Sequence, residues 1–166
     1  MNSIIFQEMR ERRALAYTAL FFYQLPDKKD DYAYSLSFIG TQYDKLDGAI
    51  DGFITLLNDI PRSDNSIELS KDAILKSLRT ERILRSDIFT AYEIALDRGI
   101  DFDVRKLVFD IVPTLTFDDI DNFAKENLKG KKFTYAIIGN KEDLPFKDLK
   151  KYGKIKELKV SKLLPN

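Results

Sequence analysis

Histidine, cysteine and tryptophan are all absent from this sequence of 166 residues. Without histidine the chain cannot contain the zinc motifs H-E-x-x-H or H-x-x-E-H, nor a Ser–His or Cys–His nucleophilic pair. Without cysteine it has no disulfides and no thiolate metal ligands, and the redox compartment stays open. These absences exclude several enzyme classes for the chain acting alone.

Net charge and long apolar runs are missing as well. Lysine plus arginine and aspartate plus glutamate both number 27, and the two signs are interspersed. A nucleic-acid-binding protein usually carries a basic excess, and a membrane span needs roughly 18 consecutive apolar residues. The seven glycines form no phosphate-binding loop of the G-x-x-x-x-G-K-[ST] or G-x-G-x-x-G type. We therefore expect neither nucleic acid nor a membrane as a partner.

What the sequence does contain is typical of one folded domain. Hydrophobic residues make up 44% and charged residues 33%, and the length suits a single domain over residues 1–166. The charged, amphipathic residues 1–13 are unlike a signal peptide. The periplasm and the cytoplasm both stay open as compartments.

Two stretches near the N-terminus have the composition of β-strands. Residues 15–25 are rich in Tyr, Phe, Leu and Thr, and residues 32–39 alternate large apolar side chains with alanine and serine. Pro26 and the polar residues 27–31 between them indicate a turn. We expect a β-hairpin with one face in the core, while tyrosines on the other face could line a peptide groove.

Helical periodicity dominates the remainder of the chain. A long helix is predicted over residues 66–97, with a kink or a solvent-bridging section near its charged middle. Thr116 and Asp119 predict a capping box. The predicted helices cover residues 44–60, 66–97, 104–111, 117–128 and 145–152, and the predicted strands cover 133–138 and 155–160. The expected buried stripe of the long helix comprises Ile74, Leu78, Ile88, Phe89 and Tyr92. This order predicts an α+β fold, a two-layer sandwich of an antiparallel or mixed sheet with long helices on one face.

Three clusters of charged residues are candidates for a metal, acid–base or anion site. The two acidic clusters fall at a helix start and after a glycine turn, where carboxylates act as caps, and they lack the EF-hand pattern. The basic cluster could bind a carboxylate or phosphate, but a solvated helix face with local ion pairs is the preferred interpretation. We assign no metal ligand to this chain. The clusters are Asp118, Asp119 and Asp121; Asp101 and Asp103; and Arg79, Arg82 and Arg85.

The segment from Phe6 to Tyr17, FQEMRERRALAY, is the most informative part of the sequence. It resembles a segment that pitrilysin-type (insulinase-like) zinc metallopeptidases carry in each homologous half, with the pattern L/F-F-x-x-[IL]-R-E-x-x-G-L-A-Y. The resemblance is to the non-catalytic C-terminal domain of bacterial members, such as those of Bacteroidetes. Further likenesses follow in the family's order over nearly all of the chain, at residues 40–45, 69–85, 115–120, 133–140 and 149–153.

The resemblance implies a function that needs a partner. In this family one half binds zinc through H-x-x-E-H and a distant glutamate, while the other half lacks the metal and closes over the peptide substrate. The second half contributes an arginine and a tyrosine seven residues apart, and Arg10 and Tyr17 match them. The resemblance therefore implies a non-catalytic, substrate-binding half without a cofactor of its own, with zinc in a catalytic half in the same polypeptide or a separate subunit. The alternative is a proteolytically inactive scaffold or interaction domain with the same fold.

Two departures from the family pattern carry structural expectations. The family usually has glycine where Ala14 stands, and a methyl group there narrows the helix-to-strand turn or disfavours a positive φ. A complete family half also has a strand and a helix before this segment, and here they are missing. Exposed sheet edges recruit strands from other chains, so we expect association through the open edge, as a homodimer.

Overall fold

The computed structural model of the chain describes residues 4–82 and 84–158. These residues form seven α-helices and one two-stranded antiparallel sheet, so the α+β class is confirmed, with helices dominating. The elements are α1 (Ile4–Phe6), a π-helical segment (Gln7–Arg12), β1 (Thr18–Gln24), β2 (Tyr34–Gly40), α2 (Leu46–Asn58), α3 (Asp64–Thr80), α4 (Asp87–Asp97), α5 (Val104–Ile111), α6 (Phe117–Asn127) and α7 (Phe146–Leu149). Short 3₁₀ turns occupy Tyr43–Lys45, Val112–Thr114 and Lys150–Tyr152.

The predicted hairpin is confirmed, and its register sorts the side chains into two faces. β1 and β2 pair with Thr18 opposite Gly40 and Gln24 opposite Tyr34. Because side chains alternate along a strand, Ala19 and its neighbours at i+2 and i+4 share one face. This inner face packs on α2 and is buried or half-buried. The outer face remains exposed over most of both strands.

The core lies between the inner face of the hairpin and α2. Phe53 of α2 meets Phe21 of β1 with ring centroids 6.4 Å apart. Met9 is fully buried and anchors the N-terminal segment in the same cluster, and α6 closes the cluster with Ala124. Each large apolar side chain buried in this way contributes about 1.5–3 kcal/mol of transfer free energy.

The predicted long helix is instead two helices, α3 and α4, separated by residues 81–86. Glu81 leaves the helical region with φ −65° and ψ 124°. The hydroxyl of Thr80 donates to the carbonyl of Lys76 at 2.9 Å, a bond that competes with the helical ladder. The break falls in the charged section, where Leu84 stays exposed and does not join the core.

The expected buried stripe of the long helix is therefore wrong for α4, which has no buried residue. Phe89 is 77% exposed, and Ile88 and Tyr92 are also exposed. The helical register of α3 does not continue into α4 across the break. The side chains of α4 therefore do not reach the core between the hairpin and α2. On α3, Ile67 is buried and Ile74 is exposed.

The larger sheet of the expected sandwich is not seen in the described part of the chain. Residues 133–138 are neither helix nor strand, and the same holds for 155–158, while 159 and 160 lie outside the described residues. Phe133 still packs against the core cluster, and Tyr135 lies against Tyr152 with ring centroids 5.4 Å apart. Alternation along a strand predicts which face is buried, but it does not supply a pairing partner.

The other local predictions hold. Thr116 and Asp119 form the capping box at the start of α6, with the Thr116 amide donating to Asp119 at 2.7 Å. α2, α5 and α7 begin and end within a few residues of their predicted bounds. No helix among the described residues is both long enough and apolar enough to cross a bilayer.

Candidate functional site

The first part of the expected site lies on the π-helical segment Gln7–Arg12. The amide of Arg13 donates to the carbonyl of Glu8 at 3.1 Å, which is the five-residue spacing of a π-helix. The Glu8 carboxylate is buried there because the guanidinium groups of Arg12 and Arg13 bind it, at 2.5 and 3.6 Å. Arg10 lies in the same segment and is exposed.

A chain reversal then brings residue 17 back towards residue 10. The amides of Leu15 and Ala16 both donate to the carbonyl of Met9, at 2.9 and 3.2 Å. Met9 directly precedes Arg10, and Ala16 directly precedes Tyr17. Two residues that are seven apart in the sequence therefore become near neighbours across one carbonyl group.

Ala14 lies at the tightest point of this reversal and has a positive φ of 48°. It is the one non-glycine residue with a positive φ in the described chain. For an L-residue with a Cβ this left-handed conformation costs roughly 1–2 kcal/mol. The turn thus has the conformation that favours glycine, the residue that the family pattern carries at this position.

Replacing Ala14 with glycine should raise the free energy of unfolding by about 1 kcal/mol, because glycine adopts a positive φ without strain. Chemical denaturation in urea would measure the change. The matched control is Ala73→Gly on the exposed surface of α3, which should instead lose about 1 kcal/mol. Equal effects of the two substitutions would contradict the assignment of strain to Ala14.

The backbone and the ring of Tyr17 are both held by the end of β2. Its amide donates to the carbonyl of Gly40 at 3.0 Å. A Cβ atom at Gly40 would lie 2.7 Å from Cε2 of Tyr17, so the ring rests on a position that only glycine can offer. The side chain of Tyr17 is nevertheless 61% exposed. Packing on Gly40 thus orients the ring while the residue stays open to solvent.

Arg10 and Tyr17 line the same cavity, which has a volume of about 210 Å³. The structure therefore brings together the two residues that the sequence singled out. Their predicted roles in substrate binding stay predictions. The rest of the lining comes from the reversal, the end of β2 and the next 3₁₀ turn, and comprises Ala14, Leu15, Ala16, Thr41, Gln42 and Lys45.

Two side chains on the opposite wall of the cavity form hydrogen bonds to the backbone of the reversal. The Thr41 hydroxyl donates to the carbonyl of Leu15 at 2.5 Å, and Nζ of Lys45 donates to the carbonyl of Ala14 at 3.0 Å. Sequence reasoning noted residues 40–45 as part of the resemblance but did not place them at the site. A glycine followed by a hydroxyl residue is common at the ends of strands, so this pattern does not identify residues of a binding site.

The charged clusters considered from the sequence lie elsewhere and are used locally. Asp119 belongs to the capping box, and Asp103 caps α5 by accepting from the amide of Arg105 at 3.0 Å. Arg79 lies over the ring of Phe109, 5.4 Å from its centroid. Among the described residues there is no group of three or more acidic side chains placed to hold a metal ion.

A second polar cluster, which the sequence did not reveal, joins α2 to the C-terminal turn. Nζ of Lys151 lies 2.8 Å from the Asp47 carboxylate and 2.7 Å from that of Asp51. The Tyr152 hydroxyl lies 2.8 Å from an oxygen of each carboxylate, and it donates its one proton to either of them. The bond from Lys151, reinforced by Tyr152, lowers the pKa of Asp47. Lys151 and Tyr152 thus bind both carboxylates of α2, so the cluster is a clamp between distant parts of the chain.

Replacing Tyr152 with phenylalanine should lower the free energy of unfolding at neutral pH by about 1 kcal/mol, because the hydroxyl's hydrogen bond to the carboxylates is lost. Burial, helped by the bonds to Asp47 and Asp51, raises the pKa of Tyr152 above its ordinary value of 10.0. A raised folded-state pKa gives stability that is present below about pH 10 and is lost as the pH rises through the folded-state pKa.

Urea unfolding at several pH values from neutral to about pH 11 would test both points, because the variant lacks the Tyr152 hydroxyl and should lose less stability above about pH 10. The lysines and the other tyrosines titrate in both chains, so their effect cancels in the comparison. The control is Tyr32→Phe, since Tyr32 is 90% exposed and should change stability little. Parallel pH profiles for the wild type and Tyr152→Phe would contradict the role assigned to the clamp.

The hairpin leaves a continuous apolar surface uncovered. On its outer face Leu20 lies opposite Phe38, and Phe22 lies opposite Leu36. All four side chains are at least 41% exposed, and Tyr34 extends the row. Exposed apolar patches of this extent mark interaction sites in soluble proteins. We call these five residues the outer face.

A larger apolar cavity, of about 480 Å³, lies apart from Arg10 and Tyr17. Its one charged lining residue is Lys71, whose amine donates to Glu68 at 2.8 Å. The lining is otherwise nearly all aliphatic or aromatic, so the cavity has no polar group suited to chemistry. Its lining includes Ile4, Ile5, Phe21, Leu57, Ile60, Ile67, Ile74, Leu115 and Leu128.

Comparison with known proteins found no matching family model, no matching curated protein and no matching solved structure.

Proposed function

We propose that this chain is the non-catalytic, substrate-binding half of a zinc-dependent peptidase and acts beside a half that carries H-x-x-E-H. The observation that carries the proposal is the meeting of Arg10 and Tyr17 on the wall of one cavity. They come from the segment that resembles the pitrilysin-type family, at the spacing that its substrate-binding half uses. The turn between them favours glycine at residue 14, as the family pattern does.

The chemistry of the pair suits this role. An arginine guanidinium can hold a peptide carbonyl or carboxylate through two parallel hydrogen bonds. A tyrosine hydroxyl can donate to the oxyanion that develops when an activated water attacks the peptide bond. The zinc that would activate the water belongs to the partner half, and this chain is assigned no metal ligand.

Uncovered apolar surface supports the need for a partner. The outer face and the apolar cavity of about 480 Å³ both offer surface that a second protein could cover. The sheet has only two strands in the described residues, and the edges of small sheets readily accept further strands. We propose that pairing with the catalytic half, or with a second copy of the chain, extends the hairpin into the larger sheet of a two-layer sandwich.

The rival proposal is a proteolytically inactive scaffold with the same fold. The exposed outer face favours it specifically, because an interaction domain needs this surface but does not need Arg10 or Tyr17. Both proposals require a partner protein, so binding of a partner does not separate them. What separates them is whether the cavity at Arg10 and Tyr17 affects turnover of a peptide.

The test is reconstitution of peptidase activity with an H-x-x-E-H half, sought in the same or a neighbouring reading frame. Arg10→Ala and Tyr17→Phe are each assembled with that half, and assembly is checked by size-exclusion chromatography. Reduced turnover at unchanged assembly supports the peptidase role. Wild-type turnover in both variants would favour the scaffold.

A further inference from the structure

The cavity at Arg10 and Tyr17 is positively charged although the whole chain carries no net charge. Arg10 and Lys45 both line it, and no aspartate or glutamate does. Gln42 and Tyr17 add neutral hydrogen-bond donors to the wall. The local balance of charge and donors therefore favours an anionic ligand.

Arg10 keeps its hydrogen-bonding capacity for such a ligand. Its guanidinium carbon lies 5.1 Å from the centroid of the Phe6 ring, an arrangement that stabilises the cation without consuming its N–H donors. The nearest buried carboxylate along the helix, that of Glu8, is taken by Arg12 and Arg13. Within residues 4–82 and 84–158, Arg10 forms no ion pair with a carboxylate.

Lys45 brings a second charge at a fixed position. Its ammonium group donates one hydrogen bond to the carbonyl of Ala14, and an ammonium has three donors in all. Two donors therefore remain for a ligand. Because the bond to Ala14 restrains a long side chain, less conformational entropy is lost when an anion binds.

We infer that this cavity recognises a carboxylate of the bound peptide, so that the chain selects acidic peptides, with Lys45 as the residue that determines this specificity. The inference rests on the proposed function and names the substrate class of the same site. Arg10 and Tyr17 hold any peptide, whereas Lys45 distinguishes a peptide that carries a carboxylate at the right position. The carboxylate can be a Glu side chain or the C-terminal group of the peptide.

The experiment measures the binding of fluorescein-labelled decapeptides to the full chain by fluorescence anisotropy. Peptides of one sequence carry either glutamate or glutamine at the interior positions, and each has either a free or an amidated C-terminus. The chain variants are Lys45→Gln and Lys45→Arg. Lys76→Gln is the matched control, because Lys76 lies on the exposed surface of α3, outside the cavity lining.

Wild type is expected to bind the carboxylate-bearing peptides about threefold to tenfold more tightly than the neutral ones, as is typical of a partly exposed charged hydrogen bond. The preference should shrink at high ionic strength because the cavity is open to solvent. Lys45→Gln should remove the preference by weakening the binding of the carboxylate-bearing peptides, and Lys45→Arg should retain the preference. Lys76→Gln should behave as wild type. Comparison of the glutamine and amidated peptides identifies which carboxylate is recognised.

Two results would overturn the inference, and they differ in what they say about the proposed function. Equal affinities for acidic and neutral peptides, or a preference that persists in Lys45→Gln, reject acidic selection but leave peptide binding by Arg10 and Tyr17 intact. Failure of every peptide to bind the wild-type chain rejects the proposed function and the inference together.

Discussion

Replacing Tyr17 with phenylalanine is expected to lower kcat of the reconstituted peptidase by about 100-fold, the usual effect of removing one oxyanion donor. The substitution removes only the hydroxyl group, and the ring keeps its packing on Gly40. The donor acts on charge that develops in the transition state, so KM should change much less than kcat. Steady-state kinetics at matched zinc occupancy would measure both constants.

Tyr34→Phe is the matched control for this substitution. Tyr34 is 58% exposed, close to the 61% of Tyr17, but it lies on the outer face and not at the cavity. Its kcat should equal that of the wild type. If Tyr17→Phe also retains wild-type kcat while the complex assembles normally, Tyr17 is not an oxyanion donor and the scaffold proposal gains support.

Replacing Phe53 with alanine is expected to lower the free energy of unfolding by about 3–5 kcal/mol. Phe53 is 5% exposed and lies where α2 meets the inner face of the hairpin, against the ring of Phe21. Loss of the ring removes buried apolar area and leaves a cavity that the surrounding elements cannot fill completely. Domains of this size have a total free energy of unfolding of about 5–15 kcal/mol, so the variant should be only marginally stable.

Phe89→Ala provides the comparison, since Phe89 is 77% exposed on α4. It should change the free energy of unfolding by no more than about 0.5 kcal/mol. Urea denaturation followed by circular dichroism measures both variants. A large loss for Phe89→Ala, or a negligible one for Phe53→Ala, would mean that the core does not lie between α2 and the hairpin.

The parts of the fold that sequence patterns predicted are those encoded by neighbouring residues. The hairpin follows from strand-forming residues before a turn at Pro26 and from alternation of apolar and small residues after it. The capping box of Thr116 and Asp119 follows from a spacing of three residues. Strand pairing beyond the hairpin joins distant segments, and the apolar composition of residues 133–138 does not identify a partner strand. The charged middle of the predicted long helix indicated a kink or a solvent-bridging section there, but not the complete break after Thr80, because charged residues have good helix propensity.

The site residues also differ in whether the sequence alone could reveal them. Arg10 and Tyr17 could be named from the sequence only because the whole segment resembles a known family. Thr41 and Lys45 were missed as site residues because they reach the cavity from beyond the end of β2. The clamp of Asp47 and Lys151 spans about 100 residues, and no spacing rule connects such a pair.

The number of residues between Arg10 and Tyr17 matters for the site. The π-helical segment and the reversal after it together set the relative positions of the two side chains. One deletion between Arg10 and Tyr17 would change the rotation of the π-helical segment or the span of the reversal, and would turn the two groups away from each other. Insertion of one residue would have the same effect in the opposite sense. Homologous chains that use this cavity should therefore align without gaps across positions 11–13, and should keep a cation at position 12 or 13 wherever Glu8 is retained.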